Sequence, residues 1–217
     1  LFINGARTAR HLGHSEKALK HYKKAYELDS TSHAVLTGMA DLHFEAQEWD
    51  RAFKLYQTIL VQHRDSQSDE DTVLVYHRLG SIKRMQGETR KALNYLEKAL
   101  ELSAHNLEAL TTLARLHRSE GAWESAVNRM SDAADASANR LDQVDLLMEA
   151  AEICEDKLNK PKRALSLFRK VLEIDPENLE AGRNAAERLI ANKEWREALP
   201  ILEMVARRTD ADDRVEL

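Results

Sequence analysis

An alanine followed by an apolar residue returns along the chain at Ala18, Ala52, Ala92, Ala126, Ala164 and Ala198, in steps of 34, 40, 34, 38 and 34 residues. A period in this range marks stacked supersecondary units, because one such unit buries its apolar face only against a neighbour. Other positions hold the same register. Trp49, Trp123 and Trp195 stand three residues before the alanine. Gly13, Gly87 and Gly121 stand five before it, with Gln47, Asn159 and Lys193 in that slot elsewhere. Tyr22, Tyr56, Leu96, Met130, Phe168 and Leu202 stand four after it, and Ala25, Ala99 and Ala133, or larger Ile59, Val171 and Val205, stand seven after it. The two long steps trace to inserts around QSDEDT (67–72) and LDQ (141–143), with one more extra residue near the EDKLN turn.

The small residues explain the period. Glycine costs about 1 kcal/mol against alanine inside a helix, yet Gly80 sits within a clear helical pattern. Its slot holds Ala6, Ala40, Ala114, Ala151 and Ala186 in the other periods. The spacing predicts two antiparallel helices per period, touching where this slot meets the aligned alanine. Gly87 then ends the first helix, where a left-handed backbone is wanted. STSH (30–33) and DPEN (175–178) offer Ser or Asp caps, Pro161 reads as a turn residue, and Pro200 falls in the first turn or so of the last helix. The expectation is an all-α array of six hairpins at approximately 1–32, 33–66, 73–106, 107–140, 144–178 and 179–212. The run DADDRVEL at 210–217 reads as the start of another helix, so the chain is expected to be part of a longer protein.

This pattern resembles the tetratricopeptide repeat family over the whole chain. The best match is 73–106, with Leu79, Gly80, Gly87, Ala92, Leu96 and Ala99, and Pro176 supplies the closing proline of a later unit. His43, Lys83 and His117 replace the usual first-helix tyrosine, and Arg64 or Ala104 the closing proline. The resemblance implies a single right-handed superhelical solenoid over 1–217, with first helices lining a concave face. Family members host many partners, so the fold alone does not name a function.

Composition narrows the function classes. With 32 Lys and Arg against 37 Asp and Glu, the formal charge is −5, which argues against a nucleic-acid partner. No run approaches the roughly 20 apolar residues of a membrane span. Cys154 is the single cysteine; it excludes an internal disulfide and fits a reducing, cytoplasmic setting. No phosphate loop, G-x-S-x-G or H-E-x-x-H motif occurs, so no enzyme, cofactor or metal is expected. His11 and His14 lack a third ligand in sequence. His43, His117 and Cys154 occupy nearly one packing slot and read as structural, as do the tryptophans, whose shared register suggests bracing of the hairpin turn.

If the family's concave face carries over, its residues include His77, Arg78, Ser81, Arg84 and Met85 in the third unit. The fourth adds Arg115 and Arg118, and the fifth adds Asp145, Glu149, Glu152, Glu155 and Asp156. Charge separates along this series, with arginines in the third and fourth units and carboxylates in the fifth. The expected function is a non-catalytic scaffold that binds a protein or peptide and meets its acidic groups with Arg78, Arg84, Arg115 and Arg118. The carboxylate clamp of the family's chaperone-tail binders is not reproduced, since Thr37, Asp41 and Arg78, then His77, Ser81 and Thr112, fill those slots. Two alternatives remain. One is end-to-end self-association through uncapped ends (Phe2 and Ile3; Ile201 and Val205). The other is a substrate-docking region for a catalytic domain outside these residues.

Overall fold

The computed structural model describes residues 1–63 and 68–215, with side chains described to residue 209. Arg64 and Gln67, named above for the missing proline and the first insert, lie outside the described residues. Within them the fold is all-α: twelve helices and no strand. The chain divides into two compact units, Leu1–Ala104 and His105–Leu217.

The first unit stacks three hairpins: α1 (Phe2–His11) with α2 (Ser15–Leu28), α3 (His33–Glu45) with α4 (Trp49–Gln62), and α5 (Asp69–Met85) with α6 (Thr89–Leu102). The second stacks α7 (Leu107–Ser119) with α8 (Trp123–Ala136), α9 (Arg140–Asp156) with α10 (Pro161–Ile174), and α11 (Leu179–Ala191) with α12 (Trp195–Val215). The second helices α2, α4, α6, α8 and α10 each have 14 residues. The inserts are absorbed elsewhere. α5 and α9 each have 17 residues, where α3, α7 and α11 have 13, so much of each insert forms an extra turn of first helix instead of a loop between units.

The small residues sit where the spacing predicts. All six aligned alanines are buried, as are Ala6, Ala40, Ala114, Ala151 and Ala186. A Cβ added to Gly80 would stand 2.7 Å from Leu96 Cγ and 3.3 Å from the Ala92 carbonyl oxygen, both on the facing helix. Glycine is therefore required by the close approach, and its propensity cost is offset by packing.

The slot five before the alanine is left-handed in every hairpin, glycine or not: φ is +74°, +58°, +74°, +71°, +52° and +64° at Gly13, Gln47, Gly87, Gly121, Asn159 and Lys193. Five turns share one closure. In the third, Gly87 N–H donates to the Arg84 carbonyl at 3.0 Å and Glu88 N–H to the Lys83 carbonyl at 2.9 Å, the paired bonds of a Schellman end. The fifth turn carries the extra residue, so Lys160 N–H reaches back to the Cys154 carbonyl at 2.7 Å instead.

Several local expectations change. Ser32 precedes α3 without a side-chain cap bond. Asn178, not Asp175, caps α11 by accepting from Ala181 N–H, and Asn106 and Asn139 cap α7 and α9 in the same manner. Pro161 opens α10, where its missing N–H is harmless. Pro200 is the sixth residue of α12, beyond the first turn, so it removes one interior backbone bond. α12 continues through the DADDR run to Val215, so no new helix starts there.

Candidate functional site

The first helices of neighbouring hairpins line open pockets in each unit. In the first unit, Arg10 of α1 donates to Asp41 Oδ2 at 3.0 Å and to Glu45 Oε1 at 2.5 Å, both on α3. The other Asp41 oxygen accepts from the buried Tyr56 hydroxyl at 2.6 Å. Burial, reinforced by the Asp41 charge, pushes the Tyr56 phenol well above its ordinary value, so it stays a donor. Beside this network the Arg78 guanidinium of α5 lies 4.6 Å from the centre of the Phe44 ring. Its Nε meets no acceptor among the described residues. Arg10, Asp41, Phe44, Trp49 and Arg78 share one pocket, and Arg10, Thr37, Asp41 and Tyr22 line the next.

The remaining third-hairpin residues grade outward along α5. His77 and Ser81 are half-buried, whereas Arg84 and Met85 are exposed. Lys83, one residue from Arg84, points the other way. It is buried, and its ammonium donates to Gln86 at 2.9 Å and Glu88 at 2.7 Å. His43 does the equivalent work in the second hairpin, with Nδ1 2.5 Å from Glu48 Oε2. The first-helix slot noted for His43 and Lys83 thus ties the first helix to the start of the second. Hydrogen bonds from Arg51 and His43 hold the Glu48 carboxyl below its usual range, and those from Lys83 and Lys91 do so for Glu88.

In the second unit a pocket of about 580 Å³ runs between α7 and α9. Its floor is Trp123 and Ile153; Arg115, Arg118 and Ser119 form one wall, and Glu149, Glu152, Asp156 and Lys157 the other. Arg118 pairs with Glu149, so one fourth-hairpin arginine already meets a fifth-hairpin acid within the array. Glu155 pairs with Arg188 of α11 at 2.6 Å. The fifth-hairpin acids are therefore partly neutralised by neighbouring hairpins. Arg115 makes only a bond from Nε to the Thr111 carbonyl of its own helix, and Glu152 is exposed without a partner among the described residues.

The tryptophans divide. Trp49 meets Phe44 edge-on at 5.4 Å, and Trp123 carries Lys157 at 5.9 Å from its ring centre, but Trp195 is largely exposed. Cys154 is buried, and that burial raises its thiol pKa. Among the described residues, no group of three or more His, Cys, Asp or Glu side chains is placed to hold a metal ion. No helix there is long and apolar enough to cross a membrane.

Comparison with known proteins rests on this geometry. Sequence models of the tetratricopeptide repeat match residues 3–32, 31–105, and 84–151 with 157–216. The chain belongs to the tetratricopeptide repeat family. A 128-residue stretch is 26% identical to the BBSome complex member BBS4 of Bos taurus, covering 58% of this chain and 23% of that protein. The chain thus spans about a quarter of that relative's length. Among solved structures, the C-terminal part of a tetratricopeptide repeat protein from Cytophaga hutchinsonii superposes with a TM-score of 0.65 at 16% identity, covering 94% of this chain and 78% of that one. MamA from Desulfovibrio magneticus RS-1 gives 0.63 at 17%, covering 82% and 94%. YrrB, described as a tetratricopeptide repeat protein with an unusual peptide-binding site, gives 0.59 at 22%, covering 83% and 88%. At these identities the likeness is one of fold.

Proposed function

We propose that this tetratricopeptide repeat chain is a non-catalytic scaffold that holds an extended segment of a partner protein against its first helices. The α7–α9 pocket carries the reading. It has an apolar floor of Trp123 and Ile153, a cation at Arg115 on one side, and uncommitted carboxylates at Glu152 and Asp156 on the other. Such a pocket recognises a segment by an apolar anchor flanked by charges of both signs, which fixes its direction more than its affinity. The first unit offers the counterpart at Arg78, held over Phe44, and at exposed Arg84 with Met85, next to His77 and Ser81. Arg118, Glu149 and Glu155 act in this reading as the frame of the pocket, since their charges are satisfied within the array. The peptide-binding description of YrrB and the membership of the Bos taurus relative in a complex point to the same class of partner.

An array of extended peptides graded in net charge, probed with the folded chain, tests this. Peptides with an acidic residue beside an aromatic or aliphatic one should bind best. Arg115→Glu and Arg84→Glu should each weaken binding about tenfold and flatten its salt dependence. Unchanged affinity and salt slope in both variants would remove the assignment.

A further inference from the structure

We infer that the α7–α9 pocket selects an arginine of the partner segment, its guanidinium shared by Glu152 and Asp156 and laid on the Trp123 ring. The inference rests on the peptide-scaffold reading and names the residue that the pocket recognises. The chain builds the polar half of such a site once with its own residues. On α3, Asp41 and Glu45 stand one and five after the small residue Ala40. They share the Arg10 guanidinium of α1, at 3.0 and 2.5 Å. Carboxylates at i and i+4 lie on one helix face. A planar fork of N–H donors spans the two where a point-charge ammonium does not.

On α9 the same two slots, one and five after Ala151, hold Glu152 and Asp156, and both line the pocket. Arg118 of α7 occupies the slot of Arg10, four after the small residue of its helix, but it pairs with Glu149. Glu149 stands two before Ala151, where α3 has Gly38 and no side chain to divert the arginine. The carboxylate pair of α9 is therefore left with no guanidinium among the described residues. The pocket also has an aromatic face that the α1–α3 site lacks. Trp123 opens α8 three residues before the aligned alanine, where α2 has Ser15. Its ring already draws a cation, the exposed Lys157 ammonium, 5.9 Å from the centre and near the outer limit of such a contact. A guanidinium stacks on an indole more closely and displaces it. Arg115 on the opposite wall keeps the incoming cation to the α9 side and takes the acidic residue of the segment.

The probes are fluorescent extended peptides with one acidic residue and one leucine, identical except for arginine, lysine or citrulline at a third position. Anisotropy titration against the whole chain should rank arginine first, about tenfold tighter than neutral citrulline, with lysine between them. Glu152→Gln with Asp156→Asn should bring the arginine-to-citrulline ratio close to one, with the chain's helical circular dichroism unchanged. Glu149→Gln, which leaves both carboxylates and the ring in place, should release Arg118 into the site and lower the same ratio. Equal binding of the arginine and citrulline peptides, or a preference that survives the double variant, would overturn the inference and leave the scaffold reading standing. Failure of all the peptides to bind would remove both.

Discussion

The two compact units keep one register and fill it differently. In the first, the space beyond the small pairs is taken by rings: Phe44 meets both Trp49 and Tyr56, and Tyr95 meets Phe53 and Tyr76 at centre distances of 6.1 and 6.4 Å. In the second, Met130 and Phe168 stand among aliphatic and small residues, and ion pairs link successive second helices. Lys160, just before α10, and Arg163 of α10 both reach Glu124 of α8, Lys170 reaches Asp135, and Arg169 reaches Glu194, just before α12, and Glu197 within it. The difference teaches that the close helix approach is set by the small residues, while the filler around it is free to vary. Buried filler and exposed links should then respond to truncation on different scales.

The sharpest way to break that comparison is truncation in one slot of each unit. Tyr56→Ala removes a ring and leaves Asp41 without its phenol, so a loss of about 3–5 kcal/mol is expected. Tyr56→Phe, which deletes only the hydrogen bond, should cost about 1–2 kcal/mol. Met130→Ala in the second unit should cost about 2–4 kcal/mol, because an unbranched, flexible side chain leaves a cavity that closes more readily. Denaturant titration read by circular dichroism measures all three. A larger loss for Met130→Ala than for Tyr56→Ala would mean that the rings of the first unit do not carry its packing.

A smaller effect lies in the turns, where the units converge again. Gln47 in the first and Lys193 in the second hold a left-handed backbone that a side chain disfavours. Gln47→Gly and Lys193→Gly should each stabilise by about 0.5–1 kcal/mol, the relief of strain being partly offset by glycine's unfolded-state entropy. Asn159→Gly should gain less, since asparagine tolerates this conformation. Shifts in thermal midpoint on the three variants decide it. A loss of stability in Lys193→Gly would show that its side chain holds the turn through contacts instead of tolerating it.

These turns were legible in the sequence because three glycines mark the slot and the period carries it to the other three hairpins. The helix pairing was legible for the same reason: close approach restricts a position to glycine or alanine, and that restriction survives in composition. The pocket charges were not. Arg118 and Glu149 are 31 residues apart, and Arg188 and Glu155 33 apart. A register identifies the face each occupies but not which side chains meet across it, so the sequence did not show that Arg118 is already paired. The inserts also misled: residues set aside from the hairpins lengthen α5 and α9, since DEDT (69–72) and LDQ (141–143) contain nothing that stops a helix.

The finest contrast between the units is their response to acid. Glu88 is held below its ordinary value of 4.5, chiefly by the Lys83 ammonium, and Glu124 likewise, chiefly by Lys160. A carboxyl whose folded pKa is depressed contributes stability that is complete above the unfolded value. That contribution fades as the pH falls through the lowered folded value. Both units therefore lose stability below the ordinary carboxylate range. The environments of the two cations differ, however. Lys83 is buried beside the Phe53 ring, 4.1 Å from its centre, whereas Lys160 is half exposed. Protonating Glu88 leaves an ammonium with little access to water; protonating Glu124 leaves one that water can solvate at once. Thermal midpoints of Glu88→Gln and Glu124→Gln, followed from neutral pH down through the carboxylate range, should show the wild-type acid decline flattened more by the first substitution. Equal flattening by both would mean that water reaches Lys83 as freely as it reaches Lys160, and the burial of that first-helix slot would then have no electrostatic consequence.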